Sequence, residues 1–302
     1  MWSELWANLW SSIFFTLFRP MLKWILRLVT GKCELLRITY EENAGSQRTK
    51  RIEKSLKLSK NPFLKCLVVS YDDIEVDEAT NEVLKIKDII IEVHSQFSRC
   101  FQNCLNQIIS YKRLLDEVES IRTTPYDSKN QEHEEKLLKL WTILMPDTKL
   151  KSRISKQWTD IGFQGEDPRT DFRGMGILGL NQLLYFGEKY TTEARHVLSQ
   201  SHHPQYGYSC AIVGINLTSM IYNQLKSRKL RTHFYNKPSS ACIDDFHEIY
   251  CYLFQEFNKF WFNEKPKDIM EFSRLRDKFN RKILNQLKNP QTVLQNVTSN
   301  GG

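Results

Sequence analysis

The residues best equipped for chemistry lie in one nineteen-residue stretch, Trp158 to Gly176, which carries four glycines, Pro168, a Thr170–Asp171 pair and Arg173. Glycine and proline fix backbone angles that other residues avoid. Such a segment can hold one long cationic side chain at a set place and angle. A guanidinium presented in this way suits a phosphate carried by a partner. The competing reading is structural: an ion pair of Arg173 with Asp160, Glu166, Asp167 or Asp171, which residue types alone favour. Thr170 or Asp171 can cap a helix continuing through Leu178, Leu183 and Phe186. That places Arg173 in the first turn, where a cation opposes the helix dipole by about 0.3–1 kcal/mol.

Other motifs carry less. Gly174-Met175-Gly176-Ile177-Leu178-Gly179 matches GxGxxG, but that fingerprint works only after a strand in a parallel sheet. Here Pro168-Arg169-Thr170-Asp171 precedes it, and close approach of helices is the better reason for the small residues. Gly207-Tyr208-Ser209-Cys210-Ala211 lacks the last glycine of a nucleophile elbow. His196, His202 and His203 read as loop histidines, since adjacent histidines point different ways and no fourth zinc ligand stands nearby. No P-loop occurs. No cofactor or metal of its own is expected.

The elements around this stretch read as helices. All nine prolines fall between helix-like segments, where a missing N–H is tolerated. Phe97, Phe101, Cys104, Ile108, Tyr111, Leu115 and Val118 form one apolar stripe at alternating four-three spacing, predicting a core-facing helix from about Gln96 to Ile121. Ser128 and Gln131 have capping-box spacing ahead of a helix ending near Met145, with Leu137, Leu138, Trp141, Leu144 and Met145 on its buried face. Tyr208 to Leu230 is a long apolar helix. Asp244 or Asp245 can cap the aromatic run Phe246 to Phe262, which must be buried nearly all round. Asp268 to Lys288 puts Ile269, Phe272, Leu275, Phe279 and Ile283 on one face. Phe63 to Val69 is the only weak strand candidate. The fold class is all-α.

Composition sets the outer bounds. Of 302 residues, 41% are hydrophobic and 26% charged, ordinary for a soluble globular chain. The net charge of +8 is uneven: Arg19 to Lys60 holds eleven Lys/Arg against four Glu. A basic block directly after an apolar start suits an anionic membrane surface better than a nucleic-acid groove, and no zinc-finger or RNA-binding signature appears. Seven cysteines without a CxxC pair read as reduced thiols in a cytosolic compartment. The sequons at Asn216 and Asn296 are read as accidental. In the first thirty residues, Trp2, Leu5, Trp6, Leu9, Trp10, Ile13, Phe14, Leu17 and Phe18 recur at helical spacing up to Pro20. An interfacial helix is favoured; a helix packed on the core and a tilted span stay open.

Trp158-x-x-Ile161-Gly162-Phe163-Gln164-Gly165-x-Asp167-Pro168-x-Thr170-Asp171-Phe172-Arg173-Gly174-x-Gly176-x-Leu178 resembles the signature of the ELMO (engulfment and cell motility) domain. Thr30-Gly31-Lys32-Cys33-Glu34-Leu35, Tyr126-Asp127-Ser128, Arg153-Ile154-Ser155-Lys156-Gln157-Trp158, Ala211-Ile212-Val213-Gly214-Ile215-Asn216 and Phe260-Trp261 extend the resemblance to the single-domain ELMO-domain-containing proteins. It implies a compact multi-helix ELMO-type domain with an N-terminal helical extension. It also implies a GTPase activator for Arf-family and Arf-like small GTPases, not an enzyme with a substrate site of its own. Arg173 aligns with the family's catalytic arginine, while the GTP-bound partner holds GTP and Mg²⁺. Larger engulfment adaptors share the domain without that activity, so a non-catalytic GTPase-binding scaffold is the alternative.

In the activator reading, Gln164 and Asp171 orient the loop, while Pro168 and glycines such as Gly165 and Gly174 shape it, with Asp167 and Thr170 also in the supporting loop. Phe172 anchors it in the core, and Arg169 is a second, steering cation. The expected organisation is an apolar segment 1–30, a basic helical extension with an acidic linker 31–122, the ELMO domain 123–290 and a flexible tail 291–302. Residues 61–92 read as a mobile connection within that extension. The expected location is cytoplasmic, peripheral on intracellular membranes through residues 1–30, with no nucleic-acid partner.

Overall fold

A computed structural model of the protein describes Trp6, residues 18–70 and residues 74–295. The tryptophan-rich stretch 1–17, apart from Trp6, and the sequon at Asn296 lie outside the described residues. All regular elements among the described residues are helical, with no strand. The chain forms two compact units, 1–109 and 110–302.

The first unit contains α1 (Arg19–Thr30), α2 (Glu34–Glu41), α3 (Ser46–Lys57), α4 (Pro62–Cys66), α5 (Val76–Lys87) and the start of α6 (Ser95–Thr123). Its core gathers Leu35, Ile52, Leu56, Val83, Phe97 and Phe101, all buried. The weak strand at 63–69 is instead helix α4: Pro62 takes the first helical position and Asn61 Oδ1 accepts from Leu64 N at 3.1 Å. Residues 61–70 and 74–92 are likewise built structure, since Leu64, Leu67 and Val83 are buried; acidic composition hid their sparse apolar contacts. On α1, Met21, Leu22, Trp24, Leu28 and Val29 are exposed beside Lys23 and Arg27. No helix among the described residues is long and apolar enough to cross a membrane.

The second unit holds the remainder of α6, α7 (Gln131–Leu144), α8 (Gly176–Lys189), α9 (Thr191–Ser201), α10 (Cys210–Lys226), α11 (Arg231–Asn236), α12 (Ile243–Glu264) and α13 (Phe272–Gln286). Helix α8 is the hub, packed on α7, α9, α10 and α12. Gly214 of α10 makes this closeness possible, because a Cβ there would meet Leu183 and the Tyr250 hydroxyl. The aromatic run is buried as expected: Phe246, Tyr250, Phe254, Phe257 and Trp261 are each at most 1% exposed. Trp261 Nε1 donates to Tyr206 O at 2.8 Å and Tyr208 Oη to Asn258 Oδ1 at 2.6 Å, while the buried Tyr250 hydroxyl has no partner among the described residues.

Several helix ends differ from the sequence reading. Asn130, not Ser128, caps α7, its Oδ1 accepting from Glu132 N at 2.9 Å. On that helix Leu137, Leu140 and Trp141 are buried while Leu138 is exposed. Along α6 the stripe shifts to Leu114, with Leu115 half-buried, because 3.6 residues per turn drifts against a seven-residue repeat. Cys242 is the N-cap of α12, and Asp245 reaches back to its N–H at 3.3 Å. The 208–230 helix ends at Lys226, and α11 follows after a turn. Ile269 is exposed in a short 3₁₀ turn before α13. The tail is held as far as Leu294, which is buried and donates its N–H to His233 Nδ1 at 2.9 Å; residues 296–302 lie outside the described ones.

Candidate functional site

The loop that carries Arg173 is fastened at both ends by glycines in the left-handed region. A 3₁₀ turn, Lys156–Ile161, starts with Ser155 Oγ accepting from Gln157 N at 3.2 Å and ends at Gly162, φ 89°. A Cβ at Gly162 would strike the backbone nitrogens of Cys210 and Ala211, and Gly162 O accepts from Ile212 N at 3.1 Å. The entry is thus pinned to the first turn of α10. At the exit, Gly176 has φ 52° and lies against the carbonyls of Arg122 and Thr124, while Ile177 N donates to Thr124 O at 2.9 Å.

Between these clamps the loop folds on itself. Asp167 caps a second 3₁₀ turn, Pro168–Thr170, accepting from Arg169 N at 3.1 Å, and Asp171 N donates to Pro168 O at 3.0 Å. Asp171 Oδ2 accepts from Gln164 N at 3.0 Å, closing the loop across its width. Phe172 is 1% exposed, stacked on Tyr126 with centroids 5.2 Å apart and edge-on to Phe163 at 5.6 Å. Asp171 thus bonds across the loop, and Phe172 is seated in the core. Gln164 contributes its main-chain N–H, and its side chain is exposed.

Arg153 is the fastening that residue spacing did not reveal. It pairs with Glu134, and its Nη1 donates to Asp167 Oδ1 at 3.1 Å. Tyr126 Oη donates to the same Glu134 at 2.6 Å, and Trp158 Nε1 donates to Arg153 O at 2.9 Å. One half-buried guanidinium thus ties α7, the 3₁₀ turn and the loop together. The signal available in the sequence was a lone arginine five residues before a tryptophan, too common to select.

Arg173 stands apart from all of this. Its side chain is exposed, and among the described residues it makes no hydrogen bond or ion pair. The four acids that could have claimed it do not. Asp167 is taken by Arg153, with Arg169 Nε 3.6 Å from its second oxygen, and Asp171 by the Gln164 N–H. Helix α8 begins only at Gly176, with Met175 as an N-cap that makes no side-chain cap bond. Arg173 therefore precedes the helix rather than occupying its first turn, and neither Thr170 nor Asp171 caps α8. Beside it, no atom lies within 4 Å of where a Cβ of Gly174 would stand, and the same holds at Gly165. Among the described residues nothing asks for glycine at these two places, and the space beside Gly174 is open.

Burial raises the Asp171 carboxyl above its ordinary 3.8, opposed by the bonds from Gln164 N and Thr170. A raised folded-state value means the native protein binds the proton more tightly, so this group's contribution is present below 3.8 and lost as pH rises through the raised value. Asp171→Asn keeps an oxygen for the Gln164 N–H without the desolvated charge. Its stability at neutral pH is expected close to that of the native protein, whereas Asp171→Ala loses about 0.5–1.5 kcal/mol with the exposed bond to that N–H. Urea unfolding of both variants at pH 7 checks the order.

The other motifs stay structural. No strand precedes Gly174, and Gly179 packs against Phe172 and Ile215. Cys210 is buried, its thiol pushed up to about 12, which leaves it unreactive. His203 Nδ1 accepts from Gln205 N and Tyr206 N in a turn, and no metal-holding cluster occurs among the described residues.

Comparison with known proteins agrees with this architecture. The profile of the ELMO/CED-12 family matches residues 116–276. ELMO domain-containing protein 2 of Bos taurus is 55% identical over 263 residues, covering 87% of this chain and 89% of its own. ELMO domain-containing protein 1 of Mus musculus is 46% identical over 291 residues, covering 90% and 89%. ELMO domain-containing protein B of Dictyostelium discoideum is 35% identical over 264 residues, covering 86% and 92%.

Proposed function

The chain belongs to the ELMO/CED-12 family, and from that premise we propose that it is a GTPase activator for Arf-family or Arf-like small GTPases, with Arg173 as the arginine supplied in trans. The observation that carries the reading is the unpaired, exposed guanidinium on a loop whose Asp167 and Asp171 are both engaged within the chain. GTP hydrolysis spreads charge between the β- and γ-phosphates, and an always-charged fork of donors entering from outside can stabilise it. The partner holds GTP and Mg²⁺; this chain contributes position and one charge, and turns over no substrate of its own. Such an arginine is worth roughly 10³–10⁵ in rate, or about 4–7 kcal/mol of barrier.

A side chain used this way must be free before the partner arrives, while its Cα must not wander. Phe172 and the bonds through Asp171 and Asp167 hold the backbone on either side, and the open space at Gly174 leaves room for a partner's main chain. Arg169, tied only loosely to Asp167, is placed to steer an acidic partner rather than to react. The test is single-turnover hydrolysis of GTP by a panel of Arf-family proteins with and without the native chain. Acceleration of at least one supports the activator; binding without acceleration of any would make the chain an adaptor.

We also propose peripheral contact with anionic membranes in the cytoplasm. The exposed apolar side chains of α1 beside Lys23 and Arg27 support it. Sedimentation with phosphatidylserine-containing vesicles is expected for the native chain and should fall severalfold when Trp24 and Leu28 are both changed to Glu. Equal sedimentation of both would remove α1 from the membrane reading.

A further inference from the structure

A cleft of about 310 Å³ opens between α10 and α13, independent of the Arg173 loop. Its α10 wall carries Asn216, Ser219 and Asn223 beside Met220, with Ser227 just past the helix end, on a helix whose other faces are largely buried. Facing it stand Arg276, Asn280 and Leu284 of α13. Two helices that met here through apolar side chains would close; these leave a lined opening.

Three features of the lining point to a ligand. Gln224, only 3% exposed, donates through Nε2 to Asn280 Oδ1 at 2.7 Å, yet its buried Oε1 has no partner. A buried acceptor left so is expensive unless something in the cleft donates to it. The lining is also rich in carboxamides, which carry the same donor and acceptor as a peptide bond. Finally, the charge is one-sided. Asp277 occupies Arg276, with Nη2 to Oδ1 at 2.9 Å, whereas Lys229 at the other end has no ion pair among the described residues.

We infer that this cleft binds an extended, acidic peptide segment of a partner protein. From Asn216 to Ser227 the helix rises about 16 Å, the length of roughly five extended residues. The carboxamides would meet the peptide's main chain and Lys229 its carboxylate. No aromatic residue lines the cleft, so it offers no platform for stacking a base or sugar ring.

The test uses the ¹⁵N-labelled full chain and two capped pentapeptides, acetyl-Gly-Asp-Gly-Asp-Gly-amide and its Lys-for-Asp counterpart, with inositol hexakisphosphate as a third probe. The acidic peptide is expected to shift the side-chain amide signals of Asn216, Asn223, Gln224 and Asn280 saturably, and the basic one not. Lys229→Glu, an exposed change that leaves the fold intact, should weaken the acidic peptide about fivefold or more. Equal shifts from both peptides, no saturable shift, a response to the phosphate alone, or full binding by the Glu variant would each overturn the inference.

Discussion

Arg173→Lys is expected to cut stimulated GTP hydrolysis by more than tenfold, and by up to about 10³–10⁵ if the guanidinium supplies the whole effect of an arginine finger. Lysine keeps the charge but loses the planar fork that can reach two phosphate oxygens together. The fold should not register the change. Arg173 is exposed, unpaired and outside α8, so the substitution removes no internal contact. Unfolding midpoints of the two proteins are therefore expected to coincide, since surface changes away from special contacts usually lie within about 0.5 kcal/mol. Loss of rate with unchanged stability separates a group that acts on a partner from one that holds the domain together. A parallel fall in both would return Arg173 to a structural role.

The largest stability effect is expected at its neighbour. Phe172→Ala removes a ring that is 1% exposed and wedged among Tyr126, Phe163 and the Gly179 backbone. Buried Phe→Ala changes cost about 3–5 kcal/mol, which for a domain of this size lowers the melting temperature by roughly 6–20 °C. Thermal unfolding followed by circular dichroism reads this directly. Because the ring is what fixes the backbone beside Arg173, activity should also fall at temperatures where the variant is still folded. Phe172→Leu, which refills part of the space, should recover most of the stability and some of the rate. An Ala variant as stable as the native chain would mean that the ring does not anchor the loop.

Much of this was legible in residue order because helices announce themselves by period and their ends by proline. The stripe from Phe97 to Val118 and the crowded aromatics after Phe246 left little freedom, and both are mostly buried, with Leu115, Tyr252 and Phe262 half-buried. What stayed hidden depended on choices made in three dimensions. Asn130 and Ser128 are equally good caps in one dimension; the turn through Asp127, whose carbonyl accepts from Asn130 N at 3.1 Å, decides between them. Phe63 to Val69 looked extended through its β-branched end, yet Pro62 and the Asn61 cap start a helix there. At the site, glycine and proline marked the loop but not its tether. Arg153 could have paired with any of several acids, and only the folded arrangement of Glu134, Tyr126 and Asp167 around it shows why Asp167 is engaged away from Arg173. Residue types favoured an ion pair for Arg173, yet among the described residues it makes none, with Asp167 and Asp171 engaged elsewhere.

The most direct measurement concerns the transition state itself. An Arf-family protein that responds to this chain can be loaded with GDP and aluminium fluoride, which imitates the phosphoryl group in flight, or with a non-hydrolysable GTP analogue. An arginine that acts only as hydrolysis proceeds must prefer the first form. The native chain is expected to bind the aluminium fluoride form at least tenfold more tightly, and Arg173→Lys to bind both alike. Equal affinity of the native chain for the two forms, or an undiminished preference in the lysine protein, would contradict the account.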